Sequence, residues 1–218
     1  MRQLEQKLIR HVDLLIERHP GLESSRQDII LAYLILEECY EHRGKLLVAG
    51  NGGSASDAEH IVGELMKSFV LPRPLDEGYA AALKSADAQI GAVLTDKLQA
   101  ALPAIALDSH IALSTAWLND CEPQLCFAQQ VNGFGAEGDV FLGISTSGNS
   151  KNILYAAVAA KAKGMKVIGM TGERESKLEK LSDVCIRVAE TETYKVQEKH
   201  LPAYHTLCLM LEDHFFGE

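Results

Sequence analysis

Apolar residues at Leu4, Leu8, Val12 and Leu15 recur at helical spacing and predict a helix over 3–18, closed by His19, Pro20 and Gly21. Ile29, Ile30, Tyr33, Leu34 and Cys39 predict a second helix over 26–42, punctuated by Gly44. From residue 45 onward the pattern changes. Short, wholly apolar runs, KLLVAG (45–50), LPAIAL (102–107), GDVFLGIS (138–145), MKVIGMT (165–171) and DVCIRV (183–188), alternate with helical segments. Strands that are continuously apolar, rather than apolar at every second position, are buried on both faces, and this alternation predicts a parallel sheet with helices on either side. Helices are expected at 54–69, stopped by the prolines of LPRP, at 149–163, at 175–182 and at 195–216 with Pro202 inside the last. Helical segments broken by Pro123 fill the stretch after LPAIAL, and the alanine-rich 75–101 reads as a helical insertion in one domain spanning 1–218.

Two of the strand ends carry unusual loops. GNGGS (50–54) and STSGNS (145–150) each join an apolar strand to a helix. Ligands of open parallel sheets bind beyond such carboxyl ends. Glycine lets backbone N–H groups approach a ligand, hydroxyls donate to phosphate oxygens, and the helix N-terminus adds unpaired donors and partial positive charge. GNGGS alone also fits a plain tight turn. Its Gly50, Gly52 and Ala55 match a dinucleotide loop, but no acidic residue ends a second strand where a ribose would need it, and no GxxxxGK[ST] occurs. STSGNS, with four hydroxyl or amide side chains in six residues, is the more specific signal for a phosphate.

His60 and Glu64, spaced i, i+4, share one face of the helix that the first loop opens. About 6 Å of rise lets both reach one ion, though a surface hydrogen bond would give the same pattern. The closing helix offers Gln197, His200 and His205. Gln197 and His205 would lie about 12 Å apart along the axis and roughly 80° apart in rotation. That is awkward for one ion, unless Pro202 kinks the helix or two chains meet there.

Composition narrows the classes. Net charge is −9 over 218 residues, with 47% apolar content. The acidic balance argues against nucleic acid and anionic membranes as partners, and no apolar run reaches the roughly 18 residues of a membrane span. The five cysteines, at 39, 121, 126, 185 and 208, lack the spacing of a zinc–thiolate site and suit a reducing cytoplasm, and the mixed-charge amphipathic N-terminus does not read as a signal peptide.

Taken together, AGNGGSASDAEH, EGDVFLGISTSGNS, AKGMKVIGMTG and VQEKHLPAYH resemble, in order, the blocks of the sugar isomerase (SIS) fold and, within it, the phosphoheptose isomerases. The resemblance covers about 1–74 and 102–218 and implies a three-layer, doubly wound α/β fold with about five parallel strands. It implies one divalent metal per subunit, zinc, held by His60, Glu64, Gln197 and His205. It implies substrate contacts from Asn51, Gly52, Gly53, Ser54, Asp120, Ser145, Thr146, Ser147, Ser150, Thr193 and Gln197, with Glu64 and His205 catalytic. It also implies a homotetramer with active sites between subunits. The activity to expect is conversion of sedoheptulose 7-phosphate to D-glycero-D-manno-heptose 7-phosphate. Departures are the stretch 75–101, Lys195 where arginine is usual, and GERESKL in place of a second glycine-rich turn. They leave two other readings open, isomerisation of a different phosphosugar and a non-catalytic phosphosugar-binding or adaptor protein.

Overall fold

The computed structural model describes residues 5–217. Leu4, expected in the first helix, lies outside them. Helices α1 (Gln6–Arg18) and α2 (Arg26–Glu41) lead into strand β1 (Leu46–Ala49), from which α3 (Gly53–Met66) departs. The 75–101 stretch is helical, as α4 (Glu77–Ala86) and α5 (Ala88–Lys97), separated by Asp87, whose carboxylate accepts from the N–H groups of Gln89 and Ile90. There follow β2 (Ala104–Ala106), α6 (Ile111–Asp120), α7 (Cys126–Phe134), β3 (Val140–Ile144), α8 (Lys151–Ala162), β4 (Lys166–Thr171), α9 (Lys177–Leu181), β5 (Val184–Arg187) and the long α10 (Thr193–Phe216).

All five strands are parallel, in the order β2-β1-β3-β4-β5. Alternate residues of β1, β3 and β4 feed two cores. Leu46, Val48, Leu142 and Met170 pack with α1, α2, α3 and α10, whereas Leu47, Phe141 and Val167 pack with α7, α8 and α9. The result is the expected three-layer, doubly wound arrangement. β1 lies between β2 and β3, so the chain leaves β1 toward one edge and resumes at β3 toward the other. That reversal opens a crevice at the carboxyl ends of β1 and β3, and both unusual loops start there.

One difference from the sequence pattern has a tertiary cause. Helix α3 ends at Met66, short of 69, because Arg73 donates to the carbonyls of Glu64 and Leu65 and Glu212 accepts from the N–H groups of Phe69, Val70 and Leu71. As expected, Pro202 lies inside the continuous α10, and the carbonyl of Pro202 is taken by the Thr206 hydroxyl at 2.9 Å. Among the described residues, no helix is long and apolar enough to cross a membrane.

Candidate active site

The two loops meet across the crevice. Asn51, just past β1, and Asn152, in the first turn of α8, exchange a reciprocal pair of side-chain amide bonds of 3.1 and 2.8 Å. Ser145, buried at the end of β3, places its hydroxyl 3.0 Å from that of Ser150. Gly148 takes φ +62° and donates to the Ser145 carbonyl, while the Gly172 N–H donates to the carbonyl of Thr146. The Ser147 hydroxyl accepts from the Asn149 N–H. Thr146, Ser147 and Asn149 of the loop line a cleft of about 290 Å³ with Thr193, whereas Ser145 and Ser150 do not line it. Arg174 also lines it, together with Glu173, Glu175 and Glu190. Ser54 is buried behind the first loop, and Gly52 and Gly53 are exposed at the start of α3. Asp120 ends α6, exposed, accepting from the Asn119 amide, and does not line this cleft.

The metal-type residues separate into two levels. His60 Nε2 lies 3.1 Å from Glu64 Oε1, and Lys67 reaches the other carboxylate oxygen of Glu64 at 3.3 Å. The ring of His205 stands edge-on to that of His60, with centroids 4.9 Å apart, and is flanked by Phe69. Its Nε2 is buried without a hydrogen-bond partner. Burial, and then His60 beside it, hold the His205 imidazole below its ordinary pKa against the opposing pull of Glu64. Within one chain His60, Glu64 and His205 are therefore neighbours, though among the described residues the trio whose ligand atoms all lie within 4.8 Å of one another is Glu37, Glu41 and His214. Gln197 is elsewhere: its amide lies against Gly53, where an added Cβ would come within 2.5 Å of Nε2. That is seven residues, about 10 Å of helix, from His60. The rotational offset along α10 is thus expressed as contact with two different turns of α3.

Three polar residues of this region carried no chemistry in the sequence reading. Tyr204 bonds both Asp57 and His60. Asp108, just beyond the carboxyl end of β2, has a buried Oδ1 without a partner, and burial pushes its carboxyl up to about 6. A carboxylate directly following an apolar strand was the available signal for Asp108; Asp57 stands three residues before His60 and shares its helix face. Elsewhere, Glu37, Glu41 and His214 bring three ligand-type atoms within 4.8 Å of one another, a candidate acidic/His site for a cation. His214 turns one ring nitrogen to each carboxylate, at 3.3 and 3.6 Å. It lies nine residues, about 13 Å of helix, beyond His205.

A profile of the SIS domain matches residues 79–172. The chain is 37% identical over 179 residues to a phosphoheptose isomerase of Aneurinibacillus thermoaerophilus, covering 82% of this chain and 77% of that one. It is 40% identical over 175 residues to that of Burkholderia pseudomallei (strain K96243), covering 80% and 76%. Among solved structures, a phosphoheptose isomerase from Francisella tularensis superposes with a TM-score of 0.73 at 29% identity, over 95% and 97% of the two chains. The phosphoheptose isomerase GmhA of Neisseria gonorrhoeae gives 0.72 at 28%, over 97% and 100%. With a hydroxyl-lined loop at the sheet's switch point and an imidazole–carboxylate cluster on the helix the neighbouring loop opens, the chain belongs to the phosphoheptose isomerase family and is a phosphosugar isomerase built on the SIS domain.

Proposed function

We propose that this isomerase converts sedoheptulose 7-phosphate to D-glycero-D-manno-heptose 7-phosphate. The observation that carries the reading is the packing of His205 against the His60–Glu64 pair on the helix opened by GNGGS, with STSGNS beside it across the crevice. The phosphate is gripped by Ser145, Thr146, Ser147 and Ser150 with Asn51, Gly52, Gly53, Ser54 and Thr193 around it, and Asp120 and Gln197 address the sugar. Binding energy from this remote end orients the reacting carbons.

The reaction moves a proton from C1 to C2 through an enediolate. Glu64 takes the C1 proton and returns it to C2. His205, neutral near pH 7 by the direction of its shift, moves a proton between the two oxygens, as a neutral imidazole can. Positioned acid–base groups each contribute about 10²–10⁴-fold. The donor types suit a divalent cation: His60 lies against Glu64, the His205 ring stands edge-on to His60, and His205 Nε2 has no hydrogen-bond partner. Zinc, one per subunit, would be held by His60, Glu64 and His205 with Gln197, and would supply Lewis-acid stabilisation of negative charge on the sugar oxygens.

The separation of Gln197 from His205 along α10 supports a site completed between subunits of a homotetramer. So does a groove of about 400 Å³ that opens onto His205 and is lined by exposed Leu14, Val70 and Leu201. The protein is proposed to work in the cytoplasm. A second reading, a different phosphosugar, is favoured by α4 and α5, which follow directly on the Phe69–Arg73 strap beside the site and bury almost none of their own side chains.

The test is an assay of sedoheptulose 7-phosphate beside shorter ketose phosphates, with metal counted in protein purified without chelator. One divalent ion per chain and preference for the heptulose phosphate are expected. Equal turnover by metal-stripped protein would remove the metal from the reaction, preference for a shorter sugar would change the substrate, and Glu64→Gln with undiminished turnover would move the base elsewhere.

A further inference from the structure

Tyr204 is 1% exposed, and its phenol oxygen lies between two groups on α3, 3.0 Å from His60 Nδ1 and 3.2 Å from Asp57 Oδ1. Asp57, His60 and Glu64, at i, i+3 and i+7, lie along one face of α3. The second oxygen of Asp57 is buried and has no partner. On the far side of the imidazole, Nε2 faces Glu64 at 3.1 Å. A carboxylate, a phenol, an imidazole and a second carboxylate therefore form one line.

The line has too few protons to satisfy every member in one way. The phenol has a single proton and two acceptors. If it donates to His60 Nδ1, the ring carries its proton on Nε2 and gives it to Glu64; Asp57 is then left without a donor on either oxygen, a costly state for a carboxylate held partly out of water. If it donates to Asp57, the phenol oxygen accepts from Nδ1–H, and the Nε2 lone pair is turned toward Glu64. Two acceptors then face each other, an arrangement that is satisfied when a cation lies between them. Asp57 and a cation favour the same proton arrangement.

We infer that Asp57 and Tyr204 are positioning residues that set His60 in the tautomer whose Nε2 ligates metal, an inference that rests on the proposed metal role of His60 and Glu64. Their chemistry is that of an outer carboxylate acting through a phenol rather than directly on the ring. It also accounts for a buried tyrosine hydroxyl next to His205, where phenylalanine would fill the same space.

The experiment is a competition titration of chelator-stripped protein with Zn²⁺, for the unaltered chain, Tyr204→Phe and Asp57→Asn. Both variants should bind roughly 10–100-fold more weakly, the loss typical of such outer partners. Asp57→Asn is the sharper probe. It keeps the shape, but its amide can donate to the phenol oxygen and drive the phenol proton onto His60, favouring the wrong tautomer. In ¹⁵N spectra of the metal-free protein, Asp57→Asn should shift His60 toward the Nε2–H form, a change that a packing role alone would not produce. Should Tyr204→Phe fail to fold, Asp57→Asn, an isosteric change at a partly buried helix position, carries the test. Affinities equal to that of the unaltered chain would overturn the inference while leaving the metal site standing. Absence of zinc binding by the unaltered chain would overturn the metal reading and this inference with it.

Discussion

Arg73 and Glu212 form an ion pair, Nε to Oε1 at 2.8 Å, in which neither side chain reaches solvent. Each partner has further work. Arg73 donates at 2.7 Å to the Leu65 carbonyl and at 2.9 Å to that of Glu64, and its guanidinium stacks over Phe216. Glu212 accepts from three successive backbone N–H groups, Phe69 to Leu71. The pair therefore ties the last turn of α3, which carries Glu64, to α10, which carries His205, and fixes Phe69 against the His205 ring. Removing one partner of a buried pair leaves an uncompensated charge, which costs about 3–5 kcal/mol. Arg73→Met should lose that much in urea denaturation of metal-free protein, and its turnover should fall because Glu64 loses its brace. A loss under about 1 kcal/mol, the range of a surface pair, would show that the strap is held by other contacts.

Gly53 tests Gln197. A methyl group at 53 would stand 2.5 Å from Gln197 Nε2 and 3.0 Å from Oε1. The obstructed atoms are the end of a flexible side chain, so the fold can yield at this point. Alanine within a helix is favoured over glycine by about 1 kcal/mol. Gly53→Ala should therefore melt within a few degrees of the unaltered protein, by the usual ~4 °C or less per kcal/mol for a chain of this size. Turnover should nevertheless drop by up to ~100-fold, the scale of an ångström-sized misplacement in an active site. Unchanged kinetics would remove Gln197 from the site.

What the sequence made legible follows the range of the forces involved. KLLVAG and GDVFLGIS read as strands because burial on both faces needs only apolar residues in a row, and the structure places them side by side at the switch point. His60 and Glu64 read as a pair because i, i+4 spacing fixes their direction. The 80° offset of Gln197 from His205 was likewise a local consequence of helix geometry, and it reappears as contact with two separate turns of α3. The end of α3 is not legible in its own sequence because it is set by Arg73 together with Glu212, more than a hundred residues away. The roles of Asp57 and Tyr204 are illegible for the same reason: nothing near either in sequence announces that a phenol from α10 will sit between two α3 side chains.

The STSGNS loop depends on Gly148. Its φ of +62° belongs to the left-handed region, and an added Cβ would fall 2.3 Å from the side chain of Ser176, the N-cap of α9. Alanine there pays about 1–2 kcal/mol of backbone strain, and the clash forces the loop away from α9. Gly148→Ala should raise KM for the phosphosugar about tenfold for each ~1.4 kcal/mol of phosphate binding lost. It should also weaken competitive inhibition by inorganic phosphate in parallel. If KM is unchanged while kcat falls, the loop serves the transition state alone and the phosphate is held elsewhere.

His200 makes acid stability a test of how the core was built. It is wholly buried on α10; Nε2 lies 3.3 Å from the Thr171 carbonyl at the end of β4, and Nδ1 has no partner. Burial lowers its pKa to about 4, against about 6.5 in an unfolded chain. Between those values the unfolded state binds a proton that the folded state refuses, so stability falls as pH drops from 6.5 toward 4, by roughly 3 kcal/mol in all. Asp108 acts in the opposite sense. Its carboxyl, at about 6 in the fold, takes up a proton before the unfolded one does, so its share of stability rises over the same window. Half exposed, it should contribute only about 1 kcal/mol once solvent screening is allowed for. The two are separated by variants rather than by the raw pH profile. His200→Gln, whose amide can still donate to Thr171, should narrow its deficit relative to the unaltered chain, or overtake it, as pH falls from 7 to 4.5 in urea denaturation. Asp108→Asn should be more stable than the unaltered chain at pH 7 and lose that advantage by pH 4.5. A His200→Gln difference that stays constant across this range would mean that His200 ionises as readily in the fold as outside it.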